Sequence, residues 1–110
     1  MSNTITEHYI KLLPIDEDIK RPLLTVVIPT YNCANYLKET LTSVLAQDLG
    51  EASMEIIVVD DHSTKDNPEA VVKEYGQGRV KFIRQEKNVG KVKNYEAGLR
   101  ASRGRYIHQL

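Results

Sequence analysis

The segment that most restricts the fold of this chain runs from residue 54 to residue 64 and reads MEIIVVDDHST. Residues 55–59 are almost entirely Ile and Val, and an unbroken apolar run of this length predicts a strand buried on both faces, as in a parallel sheet. Asp60 and Asp61 follow the run directly. Because ligands bind at the carboxyl ends of strands in open α/β sheets, a site is expected here. Asp is also common in turns and helix caps, and this simpler interpretation stays open.

Apolar runs alternate along the chain with segments of helical periodicity. Strands are predicted at residues 24–29, 55–59, 80–84 and 105–110, and helices at residues 35–47, 68–75 and 91–102. This alternation predicts an α/β fold of the Rossmann-like type, with three layers (α/β/α) and a mainly parallel sheet.

Three details of this prediction concern strand ends and helix faces. Pro29 lacks an N–H group, so the pairing of the first strand is expected to stop there. The third strand is flanked by charges, which indicates a position near an edge, and the fourth strand is expected to leave an edge uncovered. In the last helix, the buried face is expected to consist of Val92, Tyr95 and Leu99.

Residues 1–22 are predicted to be an N-terminal extension and linker, and residues 23–110 to form the domain itself. The apolar residues of the extension recur at helical spacing before a proline, which predicts a short amphipathic helix that docks on the domain or on another chain. These residues are Ile5, Tyr9, Leu12 and Leu13, with Pro14 after them.

The charge composition argues against one class of partner. The chain carries 15 Lys and Arg against 15 Asp and Glu, so its net charge gives no general attraction to nucleic acid, and none is expected as a partner. The basic residues are concentrated in residues 79–110, where nine of them occur with only two acidic residues. Such a segment could meet phosphates, but by charge count alone solvated helix faces are the favoured explanation.

The sequence also bears on the compartment. Cys33 is the only cysteine, so an internal disulfide is impossible, which suits a reducing environment. We find neither a basic segment followed by an apolar stretch, as in a secretory leader, nor a run near the roughly 20 apolar residues of a membrane span. A cytoplasmic location is expected, including the cytoplasmic face of a membrane.

Two strand ends supply residues that together suit a flat heterocycle. Pro29, Thr30 and Tyr31 close the first strand, and Asp60 and Asp61 close the second. An aromatic ring can stack on a base while a neighbouring carboxylate accepts hydrogen bonds from ring N–H groups. The spacing therefore suggests, without establishing, a pocket for a uracil or guanine base.

Five segments in this order and spacing resemble the N-terminal half of a glycosyltransferase of family 2, which has the GT-A fold. They read TVVIPTYN (25–32), LTSVLAQ (41–47), EIIVVDDHST (55–64), NVGKVKNYEAGLRASRG (88–104) and RYIHQL (105–110). The resemblance covers about residues 23–110. Any one segment would be a weak signal, but the five together are specific.

The resemblance implies roles for particular residues. It implies nucleotide-binding residues Pro29, Thr30, Tyr31, Asp60, Asp61 and Lys91, with support from Asn88, Lys93 and Asn94. In the family the residue matching Asp61 hydrogen-bonds the base, and a basic residue matching Lys91 approaches the nucleotide or its diphosphate. The alternative for Lys91 is a solvated lysine in the first turn of a helix.

The family's metal site and catalytic base are expected beyond Leu110, so the resemblance implies neither catalytic residues nor metal ligands in this chain. In the family an acidic motif after the last strand binds Mg²⁺ or Mn²⁺, which neutralises charge on the departing diphosphate. The chain is therefore interpreted as a domain truncated after its fourth strand, which binds the sugar nucleotide and is inactive alone.

The resemblance implies transfer of a sugar from a nucleoside-diphosphate sugar, with UDP-sugar as the expected donor, to a carbohydrate or lipid-linked acceptor hydroxyl in polysaccharide or cell-envelope glycan synthesis. One alternative is a non-catalytic α/β nucleotide-binding or interaction module. Another is a phosphate-receiver domain, which is disfavoured because a receiver has acidic residues after its first strand. Homo-oligomerisation is also considered, given the expected uncovered edge and the apolar extension.

One residue departs from the family pattern. The family commonly has Gly-Ser after the two aspartates, where this chain has His62-Ser63. If the glycine serves a turn with positive φ, His62 must be strained or must reshape the turn. A metal cluster of Asp60, Asp61 and His62 is disfavoured, because three adjacent side chains rarely converge on one ion.

Overall fold

Five strands form one sheet in the computed structural model, which describes residues 10–11 and 20–110 of the chain. The elements are β1 (Ile10–Lys11), β2 (Leu24–Thr30), α1 (Ala34–Ala46), β3 (Met54–Asp60), α2 (Pro68–Tyr75), β4 (Val80–Arg84), α3 (Lys91–Ala101) and β5 (Tyr106–Gln109). The strand order is β1-β5-β2-β3-β4. β2 to β5 run parallel, and β1 is antiparallel to β5. The predicted α/β fold with a mainly parallel sheet is confirmed.

β2 and β3 lie in the middle of the sheet and are covered on both faces. Every residue of β3 is buried, and in β2 only Pro29 is partly exposed. The two strands pair in register from Leu24 opposite Met54 to Thr30 opposite Asp60. A strand with neighbours on both sides and helices on both faces has no polar side, which explains the unbroken apolar run in the sequence.

The pairing of β2 continues one residue past Pro29, so the prediction that it stops there is wrong. Successive residues of a strand direct their backbone groups to opposite neighbours. The carbonyl of Val27 accepts a hydrogen bond from the N–H of Leu110 (3.1 Å), so Pro29, two residues later, also faces the β5 side. The last pair between β2 and β5 in the described sheet is Val27 with Gln109, so the missing N–H of Pro29 breaks none of the described ladder bonds. Thr30 then pairs with Asp60.

Helices cover both faces of the sheet, which gives the three predicted layers. On one face, Leu37 and Leu41 of α1 and Val72 of α2 belong to the same apolar cluster as alternate residues of β2 and β3. On the other face, the apolar residues of α3 pack against a smaller cluster of strand residues. The four-residue spacing of Leu37 and Leu41 places both on the same side of α1.

The close approach of α3 to the sheet depends on Gly98. A Cβ atom at this position would lie 2.6 Å from Cγ1 of Val27 and 3.2 Å from Cγ1 of Val59. Carbon atoms that are not bonded do not approach so closely, so a side chain here would push the helix away from the strands.

The predicted buried face of α3 is partly wrong. Tyr95 and Leu99 pack against the sheet, but Val92 is 71% exposed. The buried residues of the helix are Asn94 and Gly98. The contact face is centred on a polar residue and a glycine, and an apolar periodicity cannot reveal such a face.

The two edges of the described sheet are β4 and β1. The edge position of β4 was predicted and is confirmed. The prediction of an uncovered fourth strand is wrong, because β5 lies between β2 and β1, with Ile10 opposite Ile107 and Lys11 opposite Tyr106. Ile10 and Lys11 fall within the segment predicted to be helical, and the helix prediction is wrong for them. The other residues of that predicted helix lie outside the described part of the chain.

The loop before α2 supplies hydrogen-bond acceptors for the first turns of both α1 and α2. Asn67 precedes α2, and its Oδ1 accepts a hydrogen bond from the N–H of Ala70 (3.2 Å). The neighbouring Asp66 instead accepts the N–H of Ala34, the first residue of α1, at 2.8 Å. Among the described residues, no helix combines the length and the apolar character that crossing a membrane requires.

Candidate functional site

The loops that follow β2 and β3 meet at the carboxyl edge of the sheet. Thr30 pairs with Asp60, and the N–H of Asp61 continues the ladder by donating to the carbonyl of Thr30 (3.0 Å). The residue after Thr30 is Tyr31, whose side chain is 46% exposed. The structure therefore brings the predicted residues at the two strand ends together, as parallel neighbours in register require.

The same two loops are joined by hydrogen bonds that involve Asn32. Its N–H donates to Oγ of Ser63 (2.8 Å), and its Oδ1 accepts the N–H groups of Thr64 (3.0 Å) and Lys65 (3.1 Å). Asn32 has a φ of 52°, a left-handed conformation that Asn adopts more readily than most residues. These bonds fix the loop after β2 against the loop after β3.

Asp60 directs its carboxylate into the loop that follows it. The side chain is fully buried, and it accepts hydrogen bonds from the N–H (3.0 Å) and the hydroxyl of Ser63. Arg84 of β4 lies close enough for an ion pair, with Nε 3.7 Å from Oδ2 of Asp60, and it also donates to the carbonyl of Ser63. The carboxylate of Asp60 is thus held by groups of the protein, and the nucleotide-binding role that the resemblance implies for Asp60 stays a prediction.

Asp61 faces a different loop, the one that connects β4 to α3. Its Oδ1 accepts the N–H of Val89 (2.7 Å), and its Oδ2 accepts the N–H of Gly90 (3.0 Å) and Nδ2 of Asn88 (3.1 Å). The side chain of Asp61 is only 4% exposed. A direct contact between Asp61 and a base stays a prediction, and the structure assigns most of its acceptor capacity to the loop.

Asn94 ties the first turn of α3 to the end of β3. It is 2% exposed, donates from Nδ2 to the carbonyl of Val59 (3.0 Å) and accepts at Oδ1 from Nε2 of Gln85 (3.1 Å). Lys91 and Lys93, on the same first turn, are exposed. Lys91 forms no ion pair with any residue that the structure describes. The two ammonium groups are therefore accessible to an anion beside this edge of the sheet.

His62, which departs from the Gly-Ser that the resemblance leads one to expect, adopts a positive φ of 65°. The expectation of a strained turn is met, since few residues other than glycine adopt this conformation, although His does so more often than most. Its Nδ1 lies 3.0 Å from the carbonyl oxygen of Gln85, which can only accept, so Nδ1 carries the proton and donates. The imidazole thus connects the loop after β3 to the loop after β4.

Two buried hydroxyl groups near this edge lack a hydrogen-bond partner among the described residues, those of Thr30 and Tyr95. Burial raises the pKa of Tyr95, because the phenolate would lose more hydration than the phenol. Thr30 lies at the end of β2 beside Asp60.

The sequence prediction missed several residues that hold the site together. Asn32 and Ser63 lie two and three residues after the last residues of β2 and β3, and this closeness to the strand ends was a signal that could have found them. Arg84 and Gln85 gave no such signal, because their contacts depend on which strands become neighbours.

The described residues do not fit a divalent metal. Within residues 10–11 and 20–110, no group of three or more His, Cys, Asp or Glu side chains is placed to hold an ion. The oxygens of Asp60 and Asp61 accept hydrogen bonds from different loops. These two carboxylates consequently act as hydrogen-bond acceptors within the protein.

The solved structures that are similar to this chain include glycosyltransferases of the GT-A fold. TarS of S. aureus, residues 1–349 in complex with UDP-GlcNAc, is 31% identical with a TM-score of 0.72, and the match covers 79% of this chain and 25% of that one. The mannosyltransferase PcManGT of Pyrobaculum calidifontis, in complex with GDP-Man and Mn²⁺, is 28% identical with a TM-score of 0.70, and the match covers 79% and 26%.

The family model named Glycosyl transferase family 2 matches residues 25–108, and the chain belongs to this family. A hyaluronan synthase of Pasteurella multocida is 38% identical over 104 residues, which are 93% of this chain and 10% of the synthase. A chondroitin synthase of Pasteurella multocida (strain Pm70) is also 38% identical, over 93% of this chain and 11% of its own length. The chain thus spans about a tenth of these two relatives. The family match leaves no support for the phosphate-receiver alternative.

Proposed function

We propose that this chain forms the nucleotide-binding part of a glycosyltransferase that uses a nucleoside-diphosphate sugar, with UDP-sugar as the favoured donor. The complete enzyme would transfer the sugar to a hydroxyl of a carbohydrate or lipid-linked acceptor in polysaccharide or cell-envelope glycan synthesis. The observation that carries the proposal is the meeting of Thr30, Tyr31 and Asp61 at two neighbouring strand ends.

The chemistry of these groups supports a nucleotide. The ring of Tyr31 is exposed enough to stack on a base. The exposed Lys91 offers a positive charge for a phosphate. TarS is bound to UDP-GlcNAc, which favours uridine, while PcManGT is bound to GDP-Man. The names of the two Pasteurella relatives favour a polysaccharide product.

A divalent metal belongs to the proposal for the complete enzyme, with ligands supplied by residues outside the described ones. PcManGT is in complex with Mn²⁺, which supports the proposal. We further propose that the 110-residue chain transfers no sugar by itself and that it acts in the cytoplasm, including the cytoplasmic face of a membrane.

A calorimetric titration of the chain with UDP tests the proposed base pocket. Tyr31→Ala should weaken UDP binding about tenfold or more, because base–aromatic stacking contributes on the order of 1–3 kcal/mol. Tyr36→Ala is the matched control, since Tyr36 is an exposed tyrosine outside the proposed pocket. Equal affinity of the two variants would reject the proposed pocket.

A second pair of variants tests the phosphate contact. Lys91→Ala should weaken the binding of UDP more than that of uridine, since only UDP carries the charge that a lysine attracts. Lys73→Ala, an exposed lysine on α2, is the control. If Lys91→Ala weakens UDP and uridine equally, the assignment of Lys91 to the diphosphate is wrong.

The catalytic part of the proposal is tested by adding a UDP-sugar, Mn²⁺ and an oligosaccharide acceptor and measuring UDP release. No turnover is expected from the 110-residue chain, and turnover is expected from a longer protein that contains it. Turnover by the short chain would show that its own residues are sufficient. A longer protein that binds UDP without transfer would favour the alternative of a non-catalytic binding module.

A further inference from the structure

The hydrogen bonds of the Asp61 carboxylate all go to three consecutive residues, Asn88, Val89 and Gly90. An ionised carboxylate has about four positions at which it accepts hydrogen bonds. Oδ2 uses two of them and Oδ1 uses one. One acceptor position therefore remains, on Oδ1, for any further donor.

These three residues lead directly into α3, whose start depends on contacts from β3. Gly90 has φ 92° and ψ 162°, a conformation that is essentially restricted to glycine. Gly90 is the residue at the N-cap of α3, and it has no side chain that could form a capping hydrogen bond. The negative charge of Asp61 lies at this helix N-terminus, where it is favourable. Asn94, one turn further on, is bonded to the carbonyl of Val59. The end of β3 thus holds α3 at two points.

We propose that Asp61 is a positioning residue for nucleotide binding: it fixes the loop Asn88–Gly90 and thereby places Lys91, the first residue of α3, beside the phosphates. This inference rests on the proposed function. A bound base adds at most one hydrogen bond, at the remaining position on Oδ1, and leaves the three bonds to the loop intact.

This role changes the interpretation of an obvious experiment. Asn at position 61 would keep one acceptor oxygen, but its NH₂ group would meet N–H donors of the loop where the carboxylate accepts them. Asp61→Asn therefore disturbs the loop whether or not Asp61 touches the base. A variant on the loop side is needed. Asn88→Ala removes one partner of the carboxylate, together with the hydrogen bond from Asn88 Nδ2 to the carbonyl of Asp61 (3.2 Å), without altering the group that a base would meet.

A double-mutant cycle on the full chain separates the two roles, with UDP titrated into the wild type, Asp61→Asn, Asn88→Ala and the double variant. We expect Asn88→Ala to weaken UDP binding about threefold to tenfold, the equivalent of one hydrogen bond. In the Asp61→Asn background the same change should have a smaller effect than in the wild type, because the contact between the two side chains is already altered and only the hydrogen bond from Asn88 Nδ2 to the carbonyl of residue 61 is lost. Asn67→Ala, which removes the cap of α2, is the control and should leave UDP affinity unchanged.

Amide hydrogen exchange supplies a readout that does not depend on affinity. The N–H groups of Val89 and Gly90 should exchange slowly in the wild type and about tenfold faster in Asp61→Asn, since their acceptor is altered. UDP should leave their exchange unchanged or slow it further. Faster exchange on addition of UDP would show that the base displaces the loop, and would overturn the proposal.

The outcomes distinguish the inference from the proposed function. If the wild type fails to bind UDP, the proposed function is rejected. If the wild type binds UDP and Asn88→Ala has no effect, or has the same effect in both backgrounds, only the positioning role of Asp61 is rejected.

Discussion

Two buried carboxylates at opposite edges of the sheet are used in different ways. Glu55 lies near the amino ends of the strands and Asp61 at the carboxyl ends, and each accepts three hydrogen bonds from other parts of the chain. The two residues are of similar burial, with 8% and 4% of the side chain exposed. The two carboxylates therefore do not differ in burial or in the number of hydrogen bonds. They differ in the chemistry of their partners.

The partners of Glu55 come from three parts of the chain: β2, β4 and the loop that follows α3. Oε1 accepts the hydroxyl of Thr25 (2.8 Å) and the N–H of Arg103 (2.8 Å), and Oε2 accepts Nζ of Lys81 (2.7 Å). Burial alone would raise the pKa of Glu55, but the hydrogen bonds from Lys81, Arg103 and Thr25 outweigh it and hold the pKa below its usual value. A positive charge of the protein compensates this carboxylate.

The donors to Asp61 are neutral amides of a single loop, and the exposed Lys91 is left without an ion-pair partner among the described residues. A buried carboxylate paired with a lysine, as at Glu55, holds the fold together. A buried carboxylate that accepts only loop amides can instead position a loop and leave a nearby cation accessible to a ligand. We expect substitutions near the amino ends of the strands to lower the free energy of unfolding without changing UDP affinity. Substitutions near the carboxyl ends should change UDP affinity.

The largest losses of stability are expected from glycine substitutions, one near the amino ends of the strands and one near their carboxyl ends. At Gly104 a Cβ would lie 2.4 Å from the backbone N of Thr25, so Gly104→Ala should lower the free energy of unfolding by about 3 kcal/mol. At Gly90 no atom lies within 4 Å of a Cβ, and Gly90→Ala should cost about 1–2 kcal/mol through its positive φ alone. Urea unfolding measures both. A larger loss for Gly90→Ala would contradict the difference in packing between the edges.

The next effect compares the carboxylates directly. Glu55→Gln should lower the free energy of unfolding by about 1–3 kcal/mol, because it leaves buried groups without a suitable partner, and should leave UDP affinity within about twofold. Asp61→Asn should lower both stability and UDP affinity. Denaturation and UDP titration of both variants test this. A loss of UDP affinity in Glu55→Gln beyond that of Asp61→Asn would remove the functional distinction.

A smaller loss of stability is expected at acid pH than from these substitutions, because protonation of Glu55 leaves its side chain in place. The pKa of Glu55 is lowered from 4.5 in the folded protein, so its stabilising contribution is complete above pH 4.5 and is lost as the pH falls through the lower folded pKa. Wild-type stability should therefore decline below pH 4.5 more steeply than that of Glu55→Gln. The pKa of Asp48 is also lowered, mainly by its hydrogen bond from Arg79, so a smaller decline in stability should remain in both proteins. Parallel pH profiles would show that Glu55 keeps its ordinary pKa.

The smallest expected effect concerns His62 at the carboxyl edge. His62→Ala keeps the positive φ and loses the hydrogen bond to Gln85, whereas His62→Gly loses the bond and relieves the strain. The glycine variant should be more stable than the alanine variant by about 1 kcal/mol. Thermal or urea unfolding gives the difference. Equal stabilities would mean that the turn rearranges instead of storing strain.

Much of the fold could be predicted because local patterns determine it. The apolar run of β3, the cap and proline at the start of α2, and the limits of β4 are all visible in the sequence. The errors occur where a residue's environment comes from distant parts of the chain. Ile10 and Lys11 pair with β5 despite helical spacing, and Val92 is exposed because Asn94 forms the contact of its helix with the sheet.

For the site, the order of residues was enough to predict which side chains lie at the strand ends: Thr30 and Tyr31 at one, Asp60 and Asp61 at the next. This was possible because residue order and strand direction are local properties. Only the tertiary structure decided that Asp60 is directed into its own loop and Asp61 toward Val89 and Gly90. The reason is that a carboxylate pairs with the donors that the packed chain brings within hydrogen-bonding distance, and those donors lie 28 and 29 residues away in the case of Asp61.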